Sequence, residues 1–219
     1  MNMKKFFAFL ILFACVATAN AQFYAGGSFG FTSTSVKDGE SGSSFKIIPN
    51  LGYQVDEDIS VGLQVGFSHG LASFGSLSTT DIKSMLSNVV GYYSDINMDD
   101  MKLNGFTISP YVRYNVIKTG GLSVFLEGYF GFNSITTDDT PSFDDDDDDE
   151  PADKTKLSAF ELGIRPGMAY NLAGNFDLVC KFGAFGYMSA KEKESDTTIS
   201  RVGLSFDTYN LLFGFQYRF

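Results

Sequence analysis

The chain has 219 residues, a net charge of −10 and a sequence pI near 4.4, which fits one ordinary domain with an acidic balance. This acidity argues against a nucleic-acid partner, because phosphate backbones select basic surfaces. The composition includes 23 Phe, 11 Tyr and 23 Gly, with 5 Pro and no Trp, which favours strands and turns. After the N-terminus, no apolar run approaches the roughly 18 residues of a membrane-spanning helix, whereas a barrel of strands remains possible.

The N-terminus has the features of a secretory signal peptide. Two lysines precede an apolar stretch over 6–16, and the stretch ends in TANAQ, whose A-x-A pattern signal peptidase accepts. We expect residues 1–21 to be removed, so that the mature chain begins at Gln22. Removal takes away Lys4, Lys5 and no acid, which lowers the net charge from −10 to −12.

The two cysteines help to decide how the N-terminus is cleaved and whether a disulfide can form. Lipoprotein processing at Cys15, within LFAC, is an alternative to cleavage at Gln22, but Phe13 is bulky for that motif and the A-x-A site follows at once. Cleavage at Gln22 removes Cys15 and leaves Cys180 alone. We therefore expect no intramolecular disulfide.

From residue 23 onward, eight segments alternate between apolar and polar residues at the strand period of two. Most have roughly the 9 to 11 residues that a tilted strand needs to cross the hydrocarbon. The segments run over 23–32, 45–55, 59–68, 106–116, 122–132, 157–170, 176–188 and 204–219.

The connections between these segments fall into two classes. Short turns follow the second, fourth and sixth segments, at DED, KTGG and NLAGN. The other connections are long loops near 33–44, 69–105, 133–156 and 189–203. Short periplasmic turns opposite long extracellular loops are typical of bacterial outer-membrane barrels.

The composition of the two faces distinguishes a membrane barrel from a soluble one. In the third segment, one face runs through apolar residues from Ile59 to Phe67, while the other holds Ser, Gly and Gln from Ser60 to Ser68. Few charges and much glycine suit a crowded lumen better than a water-exposed surface. We therefore predict an all-β fold, an eight-stranded antiparallel up-and-down transmembrane β-barrel over residues 22–219, with its apolar face toward lipid.

The even-numbered segments share a terminal pattern, which reads PNLGYQV, PYVRYNV, PGMAYNL and FGFQYRF. Amphipathic rings near the short turns predict a periplasmic aromatic girdle at the headgroup level. Its four members share one register: Tyr53, Tyr114, Tyr170 and Tyr217.

Three of these repeats carry a proline within the strand. Proline removes a ladder donor that a closed barrel would use. We therefore expect β-bulges at Pro49, Pro110 and Pro166.

On the signal peptide, the strand count, the loop asymmetry and the C-terminal segment, the chain resembles the small outer-membrane β-barrel domain proteins of the OmpA/OmpX type, which are often called porin-like. In that family, the terminal aromatics resemble a signal read by the barrel-assembly machinery, and the matching residues here are Phe213, Phe215, Tyr217 and Phe219. We expect no peptidoglycan-binding domain after the barrel, so the resemblance does not imply anchoring to the cell wall. The resemblance also implies outer-membrane lipids as surroundings.

Strand parity directs several charges into the lumen. We predict a plugged lumen in which Arg165 pairs with Glu127 or Glu161, because an interior of eight strands is about wide enough for side chains alone. Inward aromatics at Phe125, Tyr129 and Phe185 would fill much of the remaining space. The polar network that we predict there consists of Glu127, Glu161, Arg165 and Lys181.

The long loops contain two further features. The run FDDDDDDE starts at Phe143, and its unbroken acids lack the spaced ligands and the turn glycine of a calcium loop, so we expect a solvated loop. In the second loop, apolar residues at helical spacing over 82–90 predict a short helix that lies over the barrel mouth or binds a partner.

The remaining hypotheses concern function. His69 and Ser68 at the outer rim would suit a lipid-modifying enzyme, but no partner motif accompanies them. No metal or cofactor site is predicted, since other nitrogen or thiolate ligands are lacking. We expect a non-enzymatic, monomeric outer-membrane protein with an envelope-structural or surface-interaction role, whose loops could contact an extracellular partner. A narrow diffusion porin is the alternative.

Overall fold

The computed structural model describes residues 23–34, 42–70, 103–137, 156–192, 198–206 and 211–219. The predicted signal peptide, the acidic run and the predicted loop helix lie outside the described residues. Ten strands are present among the described residues: β1 (Phe23–Thr34), β2 (Gly42–Gln54), β3 (Ile59–Gly70), β4 (Leu103–Thr119), β5 (Leu122–Thr137), β6 (Lys156–Ala173), β7 (Phe176–Lys181), β8 (Ala184–Glu192), β9 (Thr198–Ser205) and β10 (Leu212–Arg218).

The strands close into an antiparallel barrel. Each of β1 to β6 pairs with the next strand along the chain, β6 pairs with both β7 and β8, and β10 closes the ring between β7 and β1. The closing ladder runs from Tyr24 opposite Arg218 to Phe29 opposite Phe213. β7 and β8 together form the seventh strand of the barrel wall, and β9 and β10 together form the eighth. The prediction of an eight-stranded barrel is therefore confirmed.

The strands extend further toward the loop end than the sequence pattern indicated. The difference is largest at the eighth strand of the barrel, where residues 198–203, assigned to the fourth loop, lie in β9. Residues 133–137 in β5 and 189–192 in β8 had also been assigned to loops. Polar residues such as Ser189 and Ser200 weaken the alternation there, but their backbones still pair across β8 and β9.

A bulge interrupts the seventh strand of the barrel wall, between β7 and β8. Ile164 pairs with Phe185 and Gly167 with Lys181, so two residues of β6 oppose three residues between β7 and β8. Gly183, within this bulge, has a φ of 67°, a left-handed conformation that glycine adopts without strain. Beyond the bulge the parity reverses, so Phe185, predicted to point inward, is 54% exposed on the outer face.

The three prolines do not behave alike. Pro166 lies opposite the bulge at 182–184, as expected, and its carbonyl accepts the Phe182 amide. At Pro49 and Pro110 the register of the ladders does not shift, and the β4–β5 ladder shifts only further along, between Asn115 and Ile117. The expectation of bulges there was wrong, because a ladder can omit the donor on one side and keep its register.

The two faces of the wall differ sharply in burial. Apolar side chains such as Leu63, Val112 and Phe132 are exposed on the outside, whereas polar ones such as Gln64 and Asn133 are buried inside. Among the residues that the structure describes, no helix is long and apolar enough to span a bilayer.

Inward aromatic rings lie against glycines on neighbouring strands. Tyr111 pairs across the ladder with Gly62, and Tyr129 with Gly163. A Cβ built on either glycine would lie only 2.5 or 2.6 Å from the facing ring. Tyr24 opposite Gly52 and Phe125 opposite Gly167 repeat the arrangement. These pairs let four rings fit a narrow lumen, because a glycine leaves the wall beneath each ring without a side chain.

Candidate functional site in the barrel lumen

A buried carboxylate lies at the centre of the lumen. Glu127 of β5 is 0% exposed, and its direct neighbours across the two adjacent ladders are Arg113 and Arg165. Lys181 donates to Glu127 Oε1 at 2.9 Å and Arg113 to Oε2 at 3.0 Å. Gln64 donates to Oε1 at 2.7 Å. Donors from β3, β4 and β7 therefore hold one acid at once. We call Glu127 with Gln64, Arg113, Arg165 and Lys181 the Glu127 cluster.

Arg113 extends this cluster to the closing strand. Its Nη1 donates to Gln216 Oε1 at 2.9 Å. Its guanidinium carbon lies 4.2 Å from the centre of the Phe125 ring, within the range of a cation–π contact. The hydrogen-bonded path from Gln64 through Glu127 and Arg113 to Gln216 thus crosses the lumen from β3 to β10.

A second tie, made of tyrosines, also crosses the lumen. The Tyr24 and Tyr111 hydroxyls lie 2.8 Å apart, and Tyr24 donates to Ser60 Oγ at 3.3 Å. This joins β1 to β4 and β3. Both rings are almost fully buried inside the barrel, so they narrow the space through which a solute could pass.

Glu161 and Arg165 belong to the neighbouring part of the cluster. Glu161 accepts a hydrogen bond from the Tyr129 hydroxyl, and the Arg165 guanidinium lies 4.5 Å from the centre of the same ring. Arg165 Nη1 is 3.9 Å from Glu127 Oε1, too long for a hydrogen bond but close enough for charge attraction. Arg165 therefore holds Glu127 less tightly than Arg113 and Lys181 do.

The four lumen residues singled out from the sequence all point inward and are buried. Arg113, missed by the sequence analysis, makes the tightest arginine contact with Glu127. A signal was available, because Tyr114 was placed on the outer face and the residue before it must face inward.

The predicted girdle tyrosines lie on the outer face near the short turns. Tyr114, Tyr170 and Tyr217 are about half exposed, and Tyr53 meets the Phe23 ring edge-on at 5.0 Å. Their place in the lipid headgroup region stays a prediction.

The terminal aromatics lie on the outer face of the closing strand. Phe213, Phe215, Tyr217 and Phe219 are each nearly half exposed. The Phe215 ring stacks on Phe176, and the Phe219 amide donates to the Phe23 carbonyl. The last residue therefore contributes a backbone bond to barrel closure in addition to any recognition of its ring.

The outer rim does not bring Ser68 and His69 together. Ser68 is buried in the lumen, whereas His69 is exposed and its Nδ1 lies 2.6 Å from Asn104 Oδ1. Adjacent strand residues point to opposite faces, so this serine and this histidine cannot form a nucleophile and base pair. Within the described ranges, no group of three metal-ligating side chains is present.

Residues 6–219 match the model of the outer membrane protein beta-barrel domain family. The chain belongs to that family. Its place is therefore the bacterial outer membrane, in contact with lipid. No curated protein sequence matches the chain.

Several solved structures are similar to this chain. Neisserial surface protein A is 13% identical, with 91% of this chain and 98% of that one covered and a TM-score of 0.49. The N-terminal barrel domain of Pseudomonas aeruginosa OprF is 12% identical, with 90% and 98% covered and a TM-score of 0.45. The attachment invasion locus protein Ail of Yersinia pestis is 12% identical, with 90% and 97% covered and a TM-score of 0.37.

Proposed function

We propose that this family member is a non-enzymatic barrel with a plugged lumen, which acts in envelope structure or in surface interaction through its loops. The observation that carries the proposal is the hydrogen-bonded path from Gln64 to Gln216, which crosses the lumen at the level of Glu127. A solute would have to break several buried, charge-assisted bonds to pass. The separation of Ser68 from His69 supports a role without catalysis.

Bilayer recording tests the plug. The refolded protein in a planar bilayer should show no stable open level. A matched variant, Glu127→Ala, removes the acceptor of the path and should raise the frequency of brief openings. Large, stable single-channel currents through the unmodified protein would overturn the proposal and favour the narrow diffusion pore.

The polar lining of the lumen favours that pore as the second candidate. Lys46, Gln64, Thr107 and Asn133 form one polar side toward the loop end. Such a lining would solvate a small solute if the Glu127 cluster opened. Conductance of the Glu127→Ala protein, compared with the unmodified one, separates a wet channel from a filled interior.

The loop end of the barrel is the surface we assign to the cell exterior, because short turns of family members face the periplasm. Any extracellular partner would then meet the connections between the strands at this end, which are residues 35–41, 71–102, 138–155 and 193–197. Protease added to intact cells should cleave only within those ranges. Cleavage at the turns near 56–58 or 118–121 in intact cells would reverse the orientation.

The C-terminal aromatics, Phe213 to Phe219, serve as the address for the barrel-assembly machinery in this proposal. Deleting Phe219 removes one ring and one backbone bond to Phe23, a small share of the fold. The deletion should nonetheless leave unassembled protein in the periplasm. Refolding of the same deletion into detergent is the control, because normal folding there separates an assembly defect from a stability defect.

A further inference from the structure

A small cavity lies in the lumen between the Glu127 cluster and the loop end. Its volume is about 20 Å³, enough for one water molecule or one monatomic ion. Its wall includes Lys46, Thr107, Ser109, Asn133 and Arg165, with Glu161 as the one carboxylate.

Two side chains of this wall carry polar atoms without a hydrogen-bond partner. They are Ser109 Oγ and both amide atoms of Asn133. The two residues are only 6% and 5% exposed. Buried polar atoms are destabilising unless a partner satisfies them, so these groups call for a guest in the cavity.

The charges of the surrounding lumen favour an anion as that guest. Among the described residues, four cations are buried in the wall, against two carboxylates in the same part of the lumen: Lys46, Arg113, Arg165 and Lys181 against Glu127 and Glu161. The third buried acid, Asp177, bonds Arg218 near the short turns. The Lys46 ammonium contributes its charge whatever else it contacts.

The acids of the lumen also have donors already. Glu127 accepts from Gln64, Arg113 and Lys181, and Glu161 accepts from Tyr129. At the cavity wall itself, two cations face one carboxylate. A neutral water would satisfy the orphaned atoms but leave this positive excess unchanged.

We propose that the cavity binds a single halide ion of chloride's size. The Ser109 hydroxyl and the Asn133 amide nitrogen are its neutral donors, and Lys46 with Arg165 supplies the positive potential. Asn133 Oδ1 needs a donor of its own, and the Thr107 hydroxyl and the Lys46 ammonium are on the same wall. Polyatomic anions such as sulfate are too large for the cavity.

Bromide is the probe that tests this site. Crystals of the refolded protein grown in sodium bromide should show an anomalous peak between Ser109 and Asn133. In detergent, the thermal unfolding midpoint should rise with sodium chloride or bromide and not with sodium gluconate at matched ionic strength. Density without anomalous signal, meaning water only, would overturn the proposal. A peak in the crystal without halide dependence in solution, meaning an adventitious ion only, would also overturn it.

Variants connect the halide effect to the cavity. Asn133→Asp keeps the side-chain shape but places an acid at the site, so it should raise the half-saturating bromide concentration at least tenfold. Ser109→Ala removes one donor and gives a second test if the aspartate variant fails to fold. Ser28→Ala, a buried lumen serine outside the cavity, is the matched control and should keep the full halide dependence. Equal halide dependence in all three variants would place the ion elsewhere.

Discussion

Inward and outward residues of β4 alternate along the same backbone, but different surroundings hold them in place. Arg113 points inward, where acceptors on β10 and β5, Gln216 and Glu127, hold its two terminal guanidinium nitrogens. Its neighbours Val112 and Tyr114 point outward and are about half exposed. Lipid tolerates many apolar shapes at an outward position, whereas the lumen requires a specific partner for each polar group. The loss of stability caused by a substitution should therefore depend on which face it changes, and on whether the group it removes has a partner.

The largest loss of stability should follow from removing the central acid. Glu127→Ala leaves Arg113, Lys181 and Arg165 without their shared carboxylate, which should lower the free energy of unfolding by roughly 3 to 5 kcal/mol, less if water enters. Urea unfolding in lipid vesicles measures the change. The control is Asp58→Asn, which breaks the exposed pair with Lys118 and should cost at most about 1 kcal/mol. Similar losses for both variants would mean that the lumen is as wet as the surface.

Two arginines beside Glu127 should differ in how much they contribute to stability. Arg113→Ala removes a 3.0 Å contact with Glu127 and the bond to Gln216, so it should cost about 3 to 5 kcal/mol. Arg165→Ala removes a longer, 3.9 Å contact with Glu127 and the packing on Tyr129, so it should cost less, about 1 to 2 kcal/mol. From the sequence, Arg165 was expected to be the main partner of an acid in the lumen. A larger loss of stability for Arg165→Ala than for Arg113→Ala would restore that expectation.

The largest effect after Glu127→Ala and Arg113→Ala should come from placing a charge on the outer face. Leu63 is exposed near the middle of β3, with Leu51 and Pro110 as ladder neighbours. Leu63→Arg should cost about 2 to 4 kcal/mol in vesicles if Leu63 faces the hydrocarbon. Glu57→Arg, at the exposed short turn, is the control and should change stability little. Tolerance of arginine at Leu63 would place this part of β3 outside the hydrocarbon.

A smaller effect should follow from adding one methyl group inside. A Cβ on Gly163 would lie 2.6 Å from the Tyr129 hydroxyl oxygen, so Gly163→Ala must displace the ring that donates to Glu161. Displacement in a packed interior should cost about 1 to 3 kcal/mol. Gly128→Ala on the outer face is the control, since the nearest atom there is 3.9 Å away. Equal stability of the two variants would show that the Tyr129 ring relaxes freely.

Periodicity predicted the fold well because a wall between water-poor lumen and lipid must alternate at period two. The same parity placed Glu127, Glu161, Arg165 and Lys181 inward. It failed at Phe185, because a bulge that inserts one residue reverses the parity without a strong sequence signal. Pro166 indicated a bulge nearby, but it did not show that the extra residue lies at 182–184, and the left-handed conformation of Gly183 cannot be read from composition.

The connections inside the candidate site were harder to predict than its members. Parity states which face a side chain occupies but not how far it reaches across a lumen. The bond from Arg113 to Gln216 joins residues more than a hundred positions apart in the sequence, so no local pattern contains it. The orphaned atoms of Ser109 and Asn133 likewise depend on what surrounds them in three dimensions.

The smallest effect should come from deleting the acidic run at 144–149. These residues lie outside the described ranges, between β5 and β6, and consecutive like charges repel one another too strongly to pack. Their deletion should change the unfolding free energy by less than about 0.5 kcal/mol, as for surface changes away from packed features. Urea unfolding in vesicles measures this, and the yield of heat-modifiable protein in the outer membrane measures insertion. Replacing the run with an equally long serine segment is the control for loop length. If the deletion lowers stability by 1 kcal/mol or more and the serine segment does not restore it, the acidic charges themselves stabilise the barrel.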